Sequence, residues 1–191
     1  VLIPAYYIVE LPESVITFGL TTENEVLITE QYRHPVAQVS IEFPCGFIDA
    51  GEEPLVAAKR ETEEETGYVF EEYTYLGKVA GNPGILNNFT HLFLAKGGKK
   101  QEQTRLDAQE DIRVQLISLD ALKQLITNRK IIQSLHLNAA FYAGETGSSA
   151  AIRASVARSP AISIRRSAPL RFAASATAVS GSSEGSRPWA S

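Results

Sequence analysis

Hydrophobic and polar positions along the first thirty residues follow a short, extended rhythm rather than a helical one. "YYIVEL" (6–11), "SVITFGL" (14–20) and "EVLITE" (25–30) are rich in β-branched and aromatic residues, and the polar turn "TTEN" separates the last two, which predicts extended segments. "QYRHPV" follows, then a short strand "SIEF" stopped at Pro44. From Pro54 to Thr66 the pattern becomes helical: proline suits the first turn, the interior is Ala, Glu, Lys and Arg, and Gly67 is placed to end it. "YVFEEYTYLGKVA" reads as extended again, "GNPG" as a turn, "FTHLFLA" as a buried strand and "GGKKQEQTRLDAQE" as a polar loop. "DIRVQLISL" alternates like a strand, Asp120 is placed to cap a helix from Ala121 to Thr127, and a further helix is expected over Lys130 to Tyr142. Strands first, one helix in the middle and helices at the end predict an α+β domain.

After Ala143 the texture changes. Of the 48 residues from 144 to 191, 12 are Ser and 11 are Ala, every basic residue is Arg, and no period of 2 or 3.6 survives. The expected division is a folded domain over 1–143 and a disordered or non-native tail over 144–191. Charge divides the same way. Residues 1–143 carry 12 Lys plus Arg against 20 Asp plus Glu, a balance of −8, and residues 144–191 carry 6 Arg against 2 Glu, a balance of +4. An acidic folded part argues against a nucleic-acid partner, whose phosphates need the opposite sign. No apolar run approaches the ~20 residues of a membrane span, so no membrane partner is expected. The single cysteine, Cys45, has no internal disulfide partner, which makes a reducing cytoplasm the expected compartment. The chain starts at Val1 and contains no Met, so an N-terminally incomplete domain is expected.

The chemistry concentrates in "GFIDAGEEPLVAAKRETEEETGY", residues 46–68. On a helix, Glu61, Glu64 and Glu65 fall within about 100° of one another, being three and four positions apart. Like charges at that spacing repel by a few tenths of a kcal/mol per pair, and Arg60 offsets only part of it. Such a face is either solvated or compensated by a cation. Clustered carboxylate oxygens suit a hard ion, Mg2+ or Mn2+, which takes oxygen ligands and bridges to phosphates.

The surrounding residues supply a pattern. Gly46, five residues, Glu52, seven residues, Arg60-Glu61, then Glu64-Glu65 and Gly67-Tyr68 resembles the Nudix box at every fixed position, with Thr62 where the box has a bulky apolar residue. The resemblance implies an α/β/α sandwich with a mixed sheet, in which the box forms loop, helix and loop. It implies hydrolysis of a nucleoside diphosphate linked to another group. Glu61 and Glu65 become the principal metal ligands and Glu64 an additional ligand or supporting carboxylate. Arg60 is expected to orient Glu64, and Glu52 to support the loop or the outer metal shell.

Outside the box, "EQYRHPV" and "IEFPCGFIDAGEEPLVAA" are similar to the ADP-ribose pyrophosphatase branch. By that likeness Arg33 contacts the substrate's phosphates or terminal ribose, Glu42 leads into the box as a substrate-side carboxylate, and Cys45 offers its backbone carbonyl to the metal. The Cys45 side chain itself reads as a small buried hydrophobe. Asn88 in "NPGILNN" stands near the place where the branch carries an acidic residue lining the cleft. His34 reads as a surface loop residue, and His91 as a satisfied residue of an apolar strand. For the general base the branch points to a loop acid before a late strand, here Glu110, with Asp111 and Glu102 as neighbours. The implied activity is Mg2+-dependent cleavage of ADP-ribose or a related nucleoside diphosphate sugar by a homodimer. The alternatives are dinucleoside polyphosphates or oxidised nucleotides as substrate, or a module that senses nucleotide sugars without turnover.

Overall fold

Two of the extended segments pair side by side and become the centre of the molecule. The computed structural model describes residues 5–101 and 112–146. Glu102, Glu110, Asp111 and the Ser/Ala/Arg-rich segment from residue 147 onward lie outside the described residues. The elements in chain order are β1 (Ser14–Thr21), β2 (Val26–Arg33), β3 (Gln38–Glu42), β4 (Cys45–Phe47), α1 (Pro54–Thr66), β5 (Tyr68–Val69), β6 (Glu72–Val79), β7 (Thr90–Lys100), β8 (Ile112–Ile117), α2 (Leu119–Thr127) and α3 (Ser134–Thr146).

The sheet is mixed. β1 runs parallel to β7, with Ser14 opposite Thr90 and Leu20 opposite Lys96, while every other pairing is antiparallel: β1 with β2 and β4, β2 with β3 and β8, and β7 with β5 and β6. A parallel pair is covered on both faces, and β1 is accordingly buried along seven of its eight positions. Val15 packs with Phe93 against Ala57 and Ala58 of α1 on one face. Ile16, Phe18, Leu20, Leu92 and Leu94 face Leu122 of α2 and Ala139, Ala140 and Ala143 of α3 on the other. Helices on both faces of the sheet make the α/β/α layering, and no described helix is long and apolar enough to cross a membrane.

The helix over the acidic stretch has the expected bounds, with Pro54 in its first turn and Gly67 closing it at φ 70°. Other boundaries move, for local reasons. Residues 6–11 do not form a strand: a single bridge joins Val9 to Leu86, and Tyr6, Tyr7 and Ile8 remain exposed. β7 runs through the glycines at 97 and 98 to Lys100 because β5 supplies a partner, Tyr68 opposite Lys100 and Val69 opposite Lys99. Gly98 also makes room for Phe70, whose ring would lie 2.5 Å from a β-carbon there. α2 is capped by Ser118, whose hydroxyl accepts from the Ala121 N–H at 3.1 Å, and Asp120 sits inside its first turn. α3 starts at Ser134 rather than at Lys130. The Asn128, Arg129 and Lys130 N–H groups are spent closing α2 onto the Gln124, Ile126 and Leu125 carbonyls, with Arg129 left-handed at φ 56°. α3 then continues to Thr146, across the composition change at 143/144.

Candidate active site

β4 and α1 meet over a cleft of about 660 Å3 lined by Cys45, Gly46, Arg60, Glu61, Glu64 and Glu65, with Arg33 of β2 and His136 of α3 on its walls. The inward face of α1 explains the placement. Ala57, Ala58, Thr62 and Thr66 are buried against the sheet, and the turn between them carries Glu61, Glu64 and Glu65 toward β4. Thr62 fits this dry face because its hydroxyl donates back to the Ala58 carbonyl at 2.6 Å.

Arg60 is the hub of the acidic cluster. Its Nε and Nη2 grip the Glu52 carboxylate at 2.9 and 2.8 Å, Nη1 reaches Glu61 at 2.8 Å and Glu64 at 3.2 Å, and Nη2 also donates to the Phe47 carbonyl at 3.1 Å. The two-pronged contact goes to Glu52, so the link to Glu64 is one of several rather than the main one. Glu52 in turn accepts the Asp49 N–H at 3.1 Å, which folds the box loop down onto the helix. The Arg60 hydrogen bond holds the Glu52 carboxyl below its ordinary range, and the Glu52 bond in turn strengthens the guanidinium's hold on its proton.

Glu65 is buried and its Oε2 accepts the Cys45 N–H at 3.1 Å. The β1–β4 register shows why that N–H is available. Cys45 stands opposite Ile16, while the flanking bonds run from Thr17 N–H to the Pro44 carbonyl and from Ile48 N–H to the Glu13 carbonyl. Cys45 is therefore at a non-hydrogen-bonded position, and both its N–H and its carbonyl face away from β1. Glu61 also lies against the strand: a β-carbon on Gly46 would be 2.1 Å from its carboxyl carbon.

Behind this wall lies a second polar group. Arg33 holds Glu42 through Nε at 2.9 Å and Nη2 at 2.5 Å, and Glu42 is almost fully buried. Burial pushes the Glu42 carboxyl up, but the hydrogen bond and the charge of Arg33 outweigh it and leave it below its ordinary value. The Cys45 thiol is pushed well up by desolvation and by Glu65 and Glu42, so it is an unreactive, protonated neighbour. His136 completes the group: its Nδ1 accepts the Phe43 N–H at 3.0 Å and its Nε2 lies 3.6 Å from Glu42.

Ligand atoms of Glu42, Cys45 and His136 lie within 4.8 Å of one another, the spacing of a metal site. Their chemistry fits one poorly. Nδ1 faces a donor, so the imidazole proton is on Nε2, the atom a metal would need, and Glu42 is already neutralised by Arg33.

Residues 10–135 match the family described as NUDIX domain. This chain belongs to the Nudix family. It is 38% identical over 128 residues to the methanol dehydrogenase activator of Bacillus methanolicus, covering 66% of this chain and 69% of that protein. It is 33% identical over 125 residues to the ADP-ribose pyrophosphatase of Bacillus subtilis (strain 168), covering 65% and 68%. A crystal structure of an ADP compounds hydrolase shares the fold, with a TM-score of 0.63 at 21% identity over 70% of this chain and 71% of that one.

Nudix proteins use divalent cations, and the donor set of this chain fits one: three carboxylates from one helix face and a backbone carbonyl turned away from its sheet, all oxygen. The glycine at 46 is part of that fit, because any side chain there would displace Glu61. Of the Nudix residues expected on the substrate side, Arg33 lines the cleft, whereas Glu42 is buried beneath it and holds it. Asn88 is not brought to this cleft; its side-chain amide donates to the Pro12 carbonyl at 2.9 Å and pins the segment before β1. His34 sits in the 3-10 turn after β2, edge-on to the Tyr32 ring, and His91 is bonded between Tyr75 and Glu13. Glu110, Asp111 and Glu102 lie outside the described residues. His136 has no signal in the sequence beyond being a lone histidine in an apolar helix, and its role is visible only from its partners.

Proposed function

We propose that this Nudix protein is a Mg2+-dependent pyrophosphohydrolase that cleaves ADP-ribose, or a related nucleoside diphosphate sugar, to a nucleoside monophosphate and a sugar phosphate. The observation that carries this reading is one cleft lined by Glu61, Glu64 and Glu65 of helix α1 and by a guanidinium, Arg33, of strand β2. Anionic ligands for a cation on one wall and a cation for phosphate on the other match a diphosphate bound through its metal. Relatives named ADP-ribose pyrophosphatase, in Bacillus subtilis and Haemophilus influenzae, support the substrate class.

Glu61 and Glu65 would hold the ion, with Glu64 and the Cys45 carbonyl completing the set, and Arg60 Nη1 bridges Glu61 and Glu64 and offsets their repulsion. Mg2+, or Mn2+ in its place, would neutralise the diphosphate and lower the pKa of a bound water. Glu110 is proposed to take the proton of the attacking water. The water oxygen bonds to one phosphorus as its bond to the bridging oxygen breaks, and that oxygen leaves with the other phosphate. A cytoplasmic homodimer is proposed as the working form, supported by the lone cysteine and by the exposed Tyr6, Tyr7, Ile8 and Val9 beside β1.

The test is Mg2+-dependent hydrolysis of a panel of nucleoside diphosphate sugars, dinucleoside polyphosphates and oxidised nucleoside triphosphates, with Glu65→Gln as control. AMP and ribose 5-phosphate from ADP-ribose support the reading. A Glu65→Gln rate equal to that of the native protein would remove the metal assignment, and ADP-ribose binding by calorimetry without any product would replace the enzyme with a sensor.

A further inference from the structure

Arg33 is a long, half-exposed side chain, and a flexible guanidinium makes a poor phosphate contact unless something fixes its plane. Here Nε and Nη2 are both committed to Glu42, and Nη1 has no hydrogen-bond partner among the described residues. Glu42 is itself buried at 2% exposure, and His136 at 0%. His136 arrives from α3 and takes the Phe43 N–H on Nδ1, which fixes the backbone between Glu42 and Cys45. The far end of that same segment is tied by the Cys45 N–H to Glu65. One histidine thus stands behind a strand turn that carries the Arg33 anchor at one end and a carboxylate of the acidic cluster at the other.

We propose that His136 is a positioning residue for substrate binding: with Glu42 it forms a buried support that holds the Arg33 guanidinium in the cleft with Nη1 left for a phosphate oxygen. Packing alone does not explain a histidine here. Its Nε2 lies 3.6 Å from Glu42, too far for a hydrogen bond, and has no other partner among the described residues. A buried N–H in that state costs stability that Phe or Leu would not incur. What the imidazole supplies instead is an acceptor for the Phe43 N–H and a neutral ring whose Nε2 lies 3.6 Å from Glu42. Burial depresses its pKa to about 4, so it does not compete with Arg33 as a second cation.

The inference rests on the diphosphate reading of the cleft, and the kinetics of ADP-ribose cleavage test both. Arg33→Lys keeps the charge and loses the fork, and is expected to raise KM about tenfold with a smaller change in kcat. His136→Phe keeps ring volume and loses both polar functions, and is expected to raise KM about threefold to tenfold. His136→Asn, which retains an acceptor for the Phe43 N–H, should fall between native and His136→Phe, and serves in its place if the phenylalanine variant does not fold. In the Arg33→Lys background either His136 change should add less than about twofold, because no fork remains to be held. A native protein that neither binds nor cleaves ADP-ribose overturns the substrate reading. An active native protein whose KM ignores Arg33→Lys, or His136 and Arg33 effects that multiply in full, overturns the positioning role.

Discussion

The Glu61 carboxylate fills the space that a side chain on Gly46 would need: a β-carbon on the glycine would lie 2.1 Å from the glutamate's carboxyl carbon and 2.2 and 2.3 Å from its oxygens. The carboxylate closes over the bare backbone of β4 at the residue that follows Cys45. Gly46→Ala is therefore expected to swing Glu61 away and weaken Mg2+ by about 10–100-fold, with little loss of fold because the flexible end of a side chain yields first. Titrating activity against Mg2+ checks this; an unchanged midpoint would mean that Glu61 does not hold the ion.

Arg60 meets Glu52 through two parallel bonds, and Glu52 also fastens the Asp49 backbone. Glu52→Gln removes the charge from that fork, and Arg60→Lys removes the fork while keeping the charge. Both should cost about 10–100-fold in activity at limiting Mg2+, with part of the loss recovered at high Mg2+. A loss that no Mg2+ concentration recovers would point to direct chemistry by Glu52 instead.

Stability should fall with acid earlier than carboxylates alone explain. His136 is held neutral to about pH 4, against an ordinary 6.5, so between those values the unfolded chain binds a proton that the folded chain does not. Stability then falls as pH drops through that window, by up to about 1.4 kcal/mol per pH unit. Glu42 acts lower down: its carboxyl is below the ordinary range, so its stabilisation is present above that range and is lost only as pH falls through the lowered value. Urea denaturation of the native protein and of His136→Asn at pH 4.5, 5.5 and 6.5 separates the two, because the variant should lose the slope in this interval. A variant with the native slope would assign it to another group.

Thr62 stands where the Nudix box has a bulky apolar residue, yet it is fully buried. Thr62→Val removes the hydroxyl that donates to Ala58, whose carbonyl is also within reach of the helix's own fourth-residue N–H. The expected change in unfolding free energy is within about 1 kcal/mol, with the Mg2+ requirement unaltered. A loss of several kcal/mol in chemical denaturation would show that the Thr62 hydroxyl is structurally essential.

Much of this protein could be read along the chain because its key relationships are short-range. Gly46 to Tyr68 is one loop and one helix, so spacing alone put Glu61, Glu64 and Glu65 on one side, and Pro54 and Gly67 marked the helix ends from their own backbone chemistry. The limits of α1 were legible because Pro54 and Gly67 set them. Limits set by a partner were not: β7 runs on to Lys100 because β5 is beside it, and residues 6–11 lack a strand because, among the described residues, they pair only through one bridge.

The parts that resisted reading join residues far apart in sequence. Phe43 and His136 are 93 positions apart, and nothing in "SLHLNAAF" says that one face of that helix will meet a strand turn carrying Glu42. Glu42, expected on the substrate side, lies buried under Arg33, and Asn88, expected in the cleft, gives its amide to the Pro12 carbonyl. Local spacing sets which side chains share a helix face, since the backbone period is the same in any context. Which of those faces ends up dry, and which charge lies opposite, depends on how helices and sheet close over one another, and that closure is a property of the whole domain.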